Sequence, residues 1–265
     1  MFIQNLHVAI LAGGLDHILN NDLPKVLQTV NGVPMVVSVI ETALSLDPVK
    51  IWVIVGPFQE QISQTIEKYL TPKQLQSLVY VDQKTPSGTG DAIKQILPLT
   101  QSLPNSTPVL ILSGDVPLIE SITIHKLLLT FEKQVQTTKE SACLLHMSIK
   151  NPSGYGRVIL NNENKVIQII EDNDCTPEQK LIRVVNCGTY IFSLGILKTY
   201  LPLITNWNPV GEYYLTTLIS LITQSLGPII ASVEVPIDRQ YTLHNVTTVS
   251  DLYYLLFAQQ KGYFD

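Results

Sequence analysis

Four short, β-branched apolar runs, His7–Ala12, Ile51–Val55, Leu78–Val81 and Val109–Leu112, alternate with longer amphipathic stretches. In those stretches apolar residues recur at helical spacing. Met35, Val36, Val39, Ile40, Ala43 and Leu44 form one set, Ile62, Ile66 and Leu70 a second, and Ile93 and Leu97 a third. This βαβαβαβ order predicts an α/β fold with a parallel sheet covered by helices, because parallel neighbours need a crossover and helices supply it.

The rhythm changes after residue 140. Ala142–Ser148, Arg157–Leu160, Val166–Ile170 and Val184–Phe192 read as strands with little helix between them, and Ile229–Val235 reads as a further strand. The stretch Ser141–Phe192 is therefore expected to be a mixed-sheet insertion able to wall one side of a site. No internal repeat, linker or low-complexity block interrupts the 265 residues, so one continuous unit is expected.

Apolar residues make up 45% and charged residues 15%, a globular rather than a disordered balance. The net charge of −5 leaves no basic excess to neutralise a nucleic-acid backbone, so no nucleic-acid partner is expected. Runs such as Val36–Ile40 fall far short of the roughly 20 apolar residues of a membrane span, so no membrane association is expected. The opening MFIQNLHVAILAGG lacks a cationic n-region and a small-residue cleavage site, so it is not read as a secretion signal. Cys143, Cys175 and Cys187 fit no metal-ligand spacing and read as reduced thiols of a cytoplasmic protein. The sequence specifies no oligomeric state.

Two motifs carry the first chemistry. Ala9-Ile10-Leu11-Ala12-Gly13-Gly14 is a buried strand running into two glycines. In an open parallel sheet ligands bind beyond the carboxyl ends of the strands, where glycine lets backbone amides approach a phosphate or base. Alone it could be an ordinary turn, and no G-x-G-x-x-G dinucleotide fingerprint is present. Further on, Leu23-Pro24-Lys25-Val26-Leu27 sets a lysine, a point charge suited to phosphate, just after a proline that fixes the backbone. Asp115 follows the buried run Val109–Leu112, where a carboxylate is costly unless compensated. It could cap the next helix or, as a hard oxygen donor, hold Mg²⁺.

These motifs recur in order with others: Gly32-Val33-Pro34-Met35, Gln83 with Gly88-Thr89-Gly90-Asp91-Ala92, and Leu112-Ser113-Gly114-Asp115-Val116-Pro117-Leu118. Then follow Asn151-Pro152-Ser153-Gly154-Tyr155-Gly156-Arg157, Ile170-Glu171, Asn186-Cys187-Gly188 and Gly211-Glu212-Tyr213-Tyr214-Leu215-Thr216. The ordered set, nearly the whole chain up to Asn245, resembles the uridyltransferase domain of the bacterial N-acetylglucosamine-1-phosphate uridyltransferases.

The resemblance implies a nucleotidyltransferase-type, Rossmann-like, mostly parallel sheet with a mixed-sheet sugar-binding portion. It makes residues 1–120 the nucleotide-binding half and 121–265 the sugar-binding half. The implied reaction is transfer of a uridylyl group from UTP to N-acetylglucosamine 1-phosphate, giving UDP-N-acetylglucosamine, a cell-wall precursor, and pyrophosphate. UTP and the sugar 1-phosphate are the partners and Mg²⁺ the cofactor. By position, Leu11, Ala12, Gly13, Gly14 and Lys25 would hold the nucleotide and its phosphates. Gln83 would pair with the uracil edge, and Gly88 and Thr89 would line the base pocket. Lys25 and Asp115 would serve catalysis, with Asp115 and Asn245 as metal ligands. Gly156, Glu171, Asn186, Tyr214 and Thr216 match positions that contact the sugar.

Two departures matter. Asp16-His17-Ile18-Leu19 stands where the family continues Gly, Thr, Arg, Met, so Ile18 replaces an arginine that would neutralise phosphate. Asn173 stands where a lysine commonly follows the glutamate matched by Glu171. Arg239 and His17 are the candidates for a replacement charge. An alternative reading is therefore a catalytically impaired relative that binds nucleotide or sugar nucleotide as a sensor or scaffold; another is a transferase for a different sugar or base. No hexapeptide repeat of the acetyltransferase kind appears in these residues, so acetyl transfer is not expected of them.

Overall fold

The computed structural model describes residues 3–14, 23–138 and 140–261, with side chains of the last helix described through Phe257. Strand β1 (His7–Leu11) is followed by a short hairpin, β2 (Thr29–Val30) and β3 (Val33–Pro34), and by helix α1 (Met35–Leu44). Next come β4 (Lys50–Val55), α2 (Gln59–Tyr69), α3 (Pro72–Leu75), β5 (Leu78–Asp82), α4 (Thr89–Lys94) and β6 (Pro108–Ser113). Helix α5 (Ser121–Val135) leads into β7 (Ala142–Ser148), β8 (Arg157–Leu160), β9 (Val166–Ile170) and β10 (Val184–Ser193). The chain continues through α6 (Leu194–Tyr200), α7 (Thr217–Leu226), β11 (Ala231–Glu234) and α8 (Val249–Lys261).

One sheet of nine strands runs in the order β11-β7-β10-β6-β1-β4-β5, with β8 on β10 and β9 on β8. The β5-β4-β1-β6 side is wholly parallel. Chain order reverses there about β1, so the carboxyl ends of β1 and β6 form the switch point where doubly wound sheets take ligands. Beyond it, β10 lies antiparallel to both β6 and β7, and β8 and β9 pair as an antiparallel hairpin. The expected parallel half and mixed portion are both present.

Each central strand is buried on both faces, which explains its near-continuous apolar sequence. Val8, Ile10, Val53 and Leu110 face α1, α2 and α5 in one cluster with Ile40, Ile66 and Leu127. Ala9, Trp52, Ile54 and Ile111 face α4, α6 and α7 in the other, with Ile93, Leu197 and Ile219. A smaller cluster of Val30, Met35, Val246 and Leu255 seats α8 on the hairpin. Leu97 falls in a 3-10 turn after α4 rather than in that helix. No helix among the described residues is long and apolar enough to cross a membrane.

Candidate active site

The carboxyl ends of β1, β5 and β6 open on a cavity of about 300 Å³. Leu11, Gly13 and Gly14 line it from the β1 turn, Gln83 from the end of β5, and Gly88 and Thr89 from the start of α4. Lys25 and Asp115 complete the wall, so eight of the residues singled out in the sequence share one space. Ala12 sits beneath it, 2% exposed, its N–H donating to the Ile54 carbonyl at 2.9 Å.

Backbone packing explains the glycine after β1. A Cβ on Gly13 would stand 3.1 Å from the Gly56 nitrogen, and one on Gly56 would stand 2.6 Å from the Gly13 carbonyl oxygen. The turns after β1 and β4 therefore touch through their main chains, which keeps the floor thin and its amides accessible.

Lys25 Nζ and Asp115 Oδ2 lie 2.8 Å apart in this cavity. Lys25 sits in a single 3-10 turn begun by Pro24, whose φ of −52° presets the backbone. Asp115 follows Gly114, which hydrogen-bonds back to the Leu11 carbonyl at 2.9 Å. The Val246 N–H donates to the Asp115 carbonyl at 3.0 Å, so the Asn245 segment is brought beside Asp115 across about half of the chain length.

Gln83 is 3% exposed. Its side-chain nitrogen donates to the Gly88 carbonyl at 3.2 Å and to Asp91 Oδ2 at 2.7 Å. The segment Tyr213–Leu215 docks on the start of α4: Gly90 N–H donates to the Tyr213 carbonyl at 2.7 Å, and Leu215 N–H donates to Thr89 Oγ1 at 3.0 Å. This contact joins the two halves of the chain and brings Glu212 into the cavity wall.

The sugar-side candidates also converge. Thr216 Oγ1 donates to Glu171 Oε1 at 2.6 Å, and a Cβ on Gly156 would stand 3.3 Å from Glu171 Oε2. Asn186 N–H donates to the Gly156 carbonyl at 2.8 Å, while its side chain bonds the Tyr190 hydroxyl and the Gly188 N–H. The β10 register slips between Asn186 and Tyr190, and Gly188, at φ 66°, turns there against Ser113 at the end of β6. Burial pushes the Glu171 carboxyl above the ordinary range. Desolvation raises the phenol of half-buried Tyr214, and the charges of Asp174, Glu171 and Glu212 add to it.

Tyr155, between Gly154 and Gly156, links this wall to the Asn245 segment. Its hydroxyl lies 2.9 Å from His244 Nδ1, and His244 Nε2 lies 3.0 Å from Asp251 Oδ1. Asp251 also accepts from Thr247 and Thr248, tying the start of α8 to the loop.

Arg239 does not supply the replacement charge suggested for it. It ion-pairs with Glu120 and is not among the residues lining the cavity. Asp16, His17 and Ile18 lie outside the described residues. Sequence reasoning assigned no site role to Asp91, Glu212 or Ser113. Each had a signal in its place inside a quoted motif: Asp91 in Gly-Thr-Gly-Asp, Ser113 in Ser-Gly-Asp and Glu212 in Gly-Glu-Tyr-Tyr.

The family model for nucleotidyl transferases matches residues 9–223. A protein of Acanthamoeba polyphaga mimivirus named as a probable UDP-N-acetylglucosamine pyrophosphorylase is 36% identical over 252 residues, covering 95% of each chain. The bifunctional protein GlmU of a Nostoc species is 39% identical over 220 residues, covering 83% of this chain and 46% of that protein, so this chain spans about half its length. Among solved structures, a putative glucose-1-phosphate thymidylyltransferase from Bacillus anthracis superposes with a TM-score of 0.69 at 18% identity, covering 98% of this chain and 97% of the other. That likeness speaks for the fold.

Proposed function

The chain belongs to the nucleotidyl transferase family, and on that premise we propose that it transfers the uridylyl group of UTP to N-acetylglucosamine 1-phosphate, releasing pyrophosphate. The observation that carries this reading is the shared cavity of Gln83, Thr89, Lys25 and Asp115 at the switch point of the sheet. It combines a base-reading amide with a cation and a carboxylate suited to phosphate chemistry. The name of the mimivirus relative supports the choice of substrates.

In the reaction an oxygen of the sugar phosphate attacks the α-phosphorus of UTP. The new O–P bond forms as the bond to the β-phosphate bridging oxygen breaks, and pyrophosphate leaves with that electron pair. No covalent intermediate with the protein is needed, so the residues act by positioning and by charge. Gln83 and the backbone at Gly88 hold the base. Lys25 sets a positive charge against the phosphates, and Glu171, Asn186 and Thr216 orient the sugar.

Magnesium fits the donors present. Asp115 offers a carboxylate and Asn245 an amide oxygen, and the Val246–Asp115 hydrogen bond brings the two segments together. No group of three or more His, Cys, Asp or Glu able to hold a metal occurs among the described residues. Bound there, magnesium would neutralise phosphate charge. The test is pyrophosphate release from each of the four common nucleoside triphosphates against a panel of sugar 1-phosphates. UTP with N-acetylglucosamine 1-phosphate is expected to have the highest kcat/KM; a higher value for any other pair overturns the assignment.

A further inference from the structure

A glutamine amide can meet a base in two orientations that differ only by exchange of its oxygen and nitrogen, with opposite meanings for recognition. In Gln83 the choice is made by its neighbours. The Gly88 carbonyl oxygen, 3.2 Å away, and Asp91 Oδ2, 2.7 Å away, surround one end of the amide. The carbonyl can only accept, and a carboxylate oxygen accepts likewise, so the NH₂ group faces them and both its protons are used. Oε1 is thereby turned towards Gly13 and the cavity, 3.5 Å from where a Gly13 Cβ would stand. It accepts no hydrogen bond among the described residues. Asp91 is itself restrained: Gln95 Nε2 reaches its Oδ1 at 3.3 Å and its carbonyl oxygen at 3.2 Å.

We propose that Asp91 is a positioning residue for base selection: it locks the Gln83 amide with its oxygen towards the nucleotide, so that the site favours a base presenting a ring N–H there and disfavours cytosine, whose ring N3 carries a lone pair. The inference rests on the reading that Gln83 faces the base. Uracil offers N3–H to Oε1. Cytosine offers a lone pair at N3, which the fixed oxygen repels. The flipped amide that would suit cytosine must set Oε1 against the Asp91 carboxylate and the Gly88 carbonyl, at a side chain only 3% exposed.

The experiment compares UTP and CTP, by calorimetry with Mg²⁺ and by kcat/KM for pyrophosphate release, in wild type, Asp91→Leu and Asp91→Asn. Leucine keeps the approximate shape and removes the acceptor; asparagine keeps an acceptor. In Asp91→Leu the preference for UTP over CTP is expected to fall by about tenfold or more, the scale of one misplaced buried polar contact. Asp91→Asn should hold that preference within about threefold of wild type. A merely structural role would weaken both nucleotides alike and leave the ratio unmoved, and that result in a folded Asp91→Leu protein overturns the proposal. Should Asp91→Leu fail to fold, loss of the preference in Asp91→Asn to the level of a Gln83→Ala control overturns it too. A wild type that prefers GTP or dTTP, whose bases also present a ring N–H, would remove the uridine assignment. The Asp91 proposal would then stand or fall on the same ratio taken against CTP. A wild type that prefers CTP would overturn both.

Discussion

Lys25 Nζ and Asp115 Oδ2 lie 2.8 Å apart on the wall of the cavity, with side chains only 12% and 15% exposed. A cation and a carboxylate so placed hold each other until a ligand of either sign enters. Phosphate oxygens can draw the lysine, and a divalent cation can draw the carboxylate.

Asp115→Asn should therefore lower kcat for pyrophosphate release by about 10² or more, the scale of a preorganised electrostatic contact. Asparagine removes one charge from a largely buried pair, so stability should also fall, by about 2 kcal/mol or more. Steady-state kinetics beside a denaturant titration checks both. Magnesium-dependent activity within a few-fold of wild type would remove Asp115 from the metal site.

Gly88→Ala tests how the halves are joined. A Cβ there would stand 2.7 Å from both the nitrogen and the oxygen of Tyr213, and the residue holds φ at +113°. Backbone must move, so the docking of Tyr213–Leu215 on α4 should loosen. The expected cost is about 2 kcal/mol or more, with weaker nucleotide binding. An unchanged denaturation midpoint would show that this junction yields freely.

Glu171 gives a pH signature. Burial raises its carboxyl above the ordinary range; the Thr216 hydroxyl opposes this, and the charges of Asp174, Glu212 and Asp172 add to it. The native state thus holds a proton that the unfolded chain releases, so this group's stability contribution is full below the ordinary carboxylate range and falls as pH rises through the raised native value. Glu171→Gln lacks that loss. Its Tm should exceed wild type at neutral pH, with the gap narrowing towards pH ~4. A gap independent of pH would contradict the assignment.

Much of this was legible in the sequence, for physical reasons. Ala142–Ser148, Arg157–Leu160 and Val166–Ile170 keep their predicted bounds because each is a β-branched or apolar run closed by polar turn residues. The hairpin β2–β3 escaped because two-residue strands carry no period. Its turn was nonetheless written as Asn31-Gly32, both at positive φ. Ile229–Val235 shortened to Ala231–Glu234, just after the Gly227 turn that ends α7. In the site, the ordered motifs located Gln83, Lys25 and Asp115. The Gln83–Asp91 and Glu171–Thr216 hydrogen bonds depend on side-chain direction at the junction of strand and helix, which no spacing encodes. Arg239 showed the converse: a charge close in sequence to Asn245 is spent on Glu120.

The central claim is tested most directly by following phosphorus NMR of UTP, N-acetylglucosamine 1-phosphate and Mg²⁺ after addition of the purified chain. The expected result is UDP-N-acetylglucosamine and pyrophosphate appearing in equal amounts, with no formation when the ion is chelated. Unchanged UTP and sugar phosphate after prolonged incubation with folded, nucleotide-binding protein would contradict it.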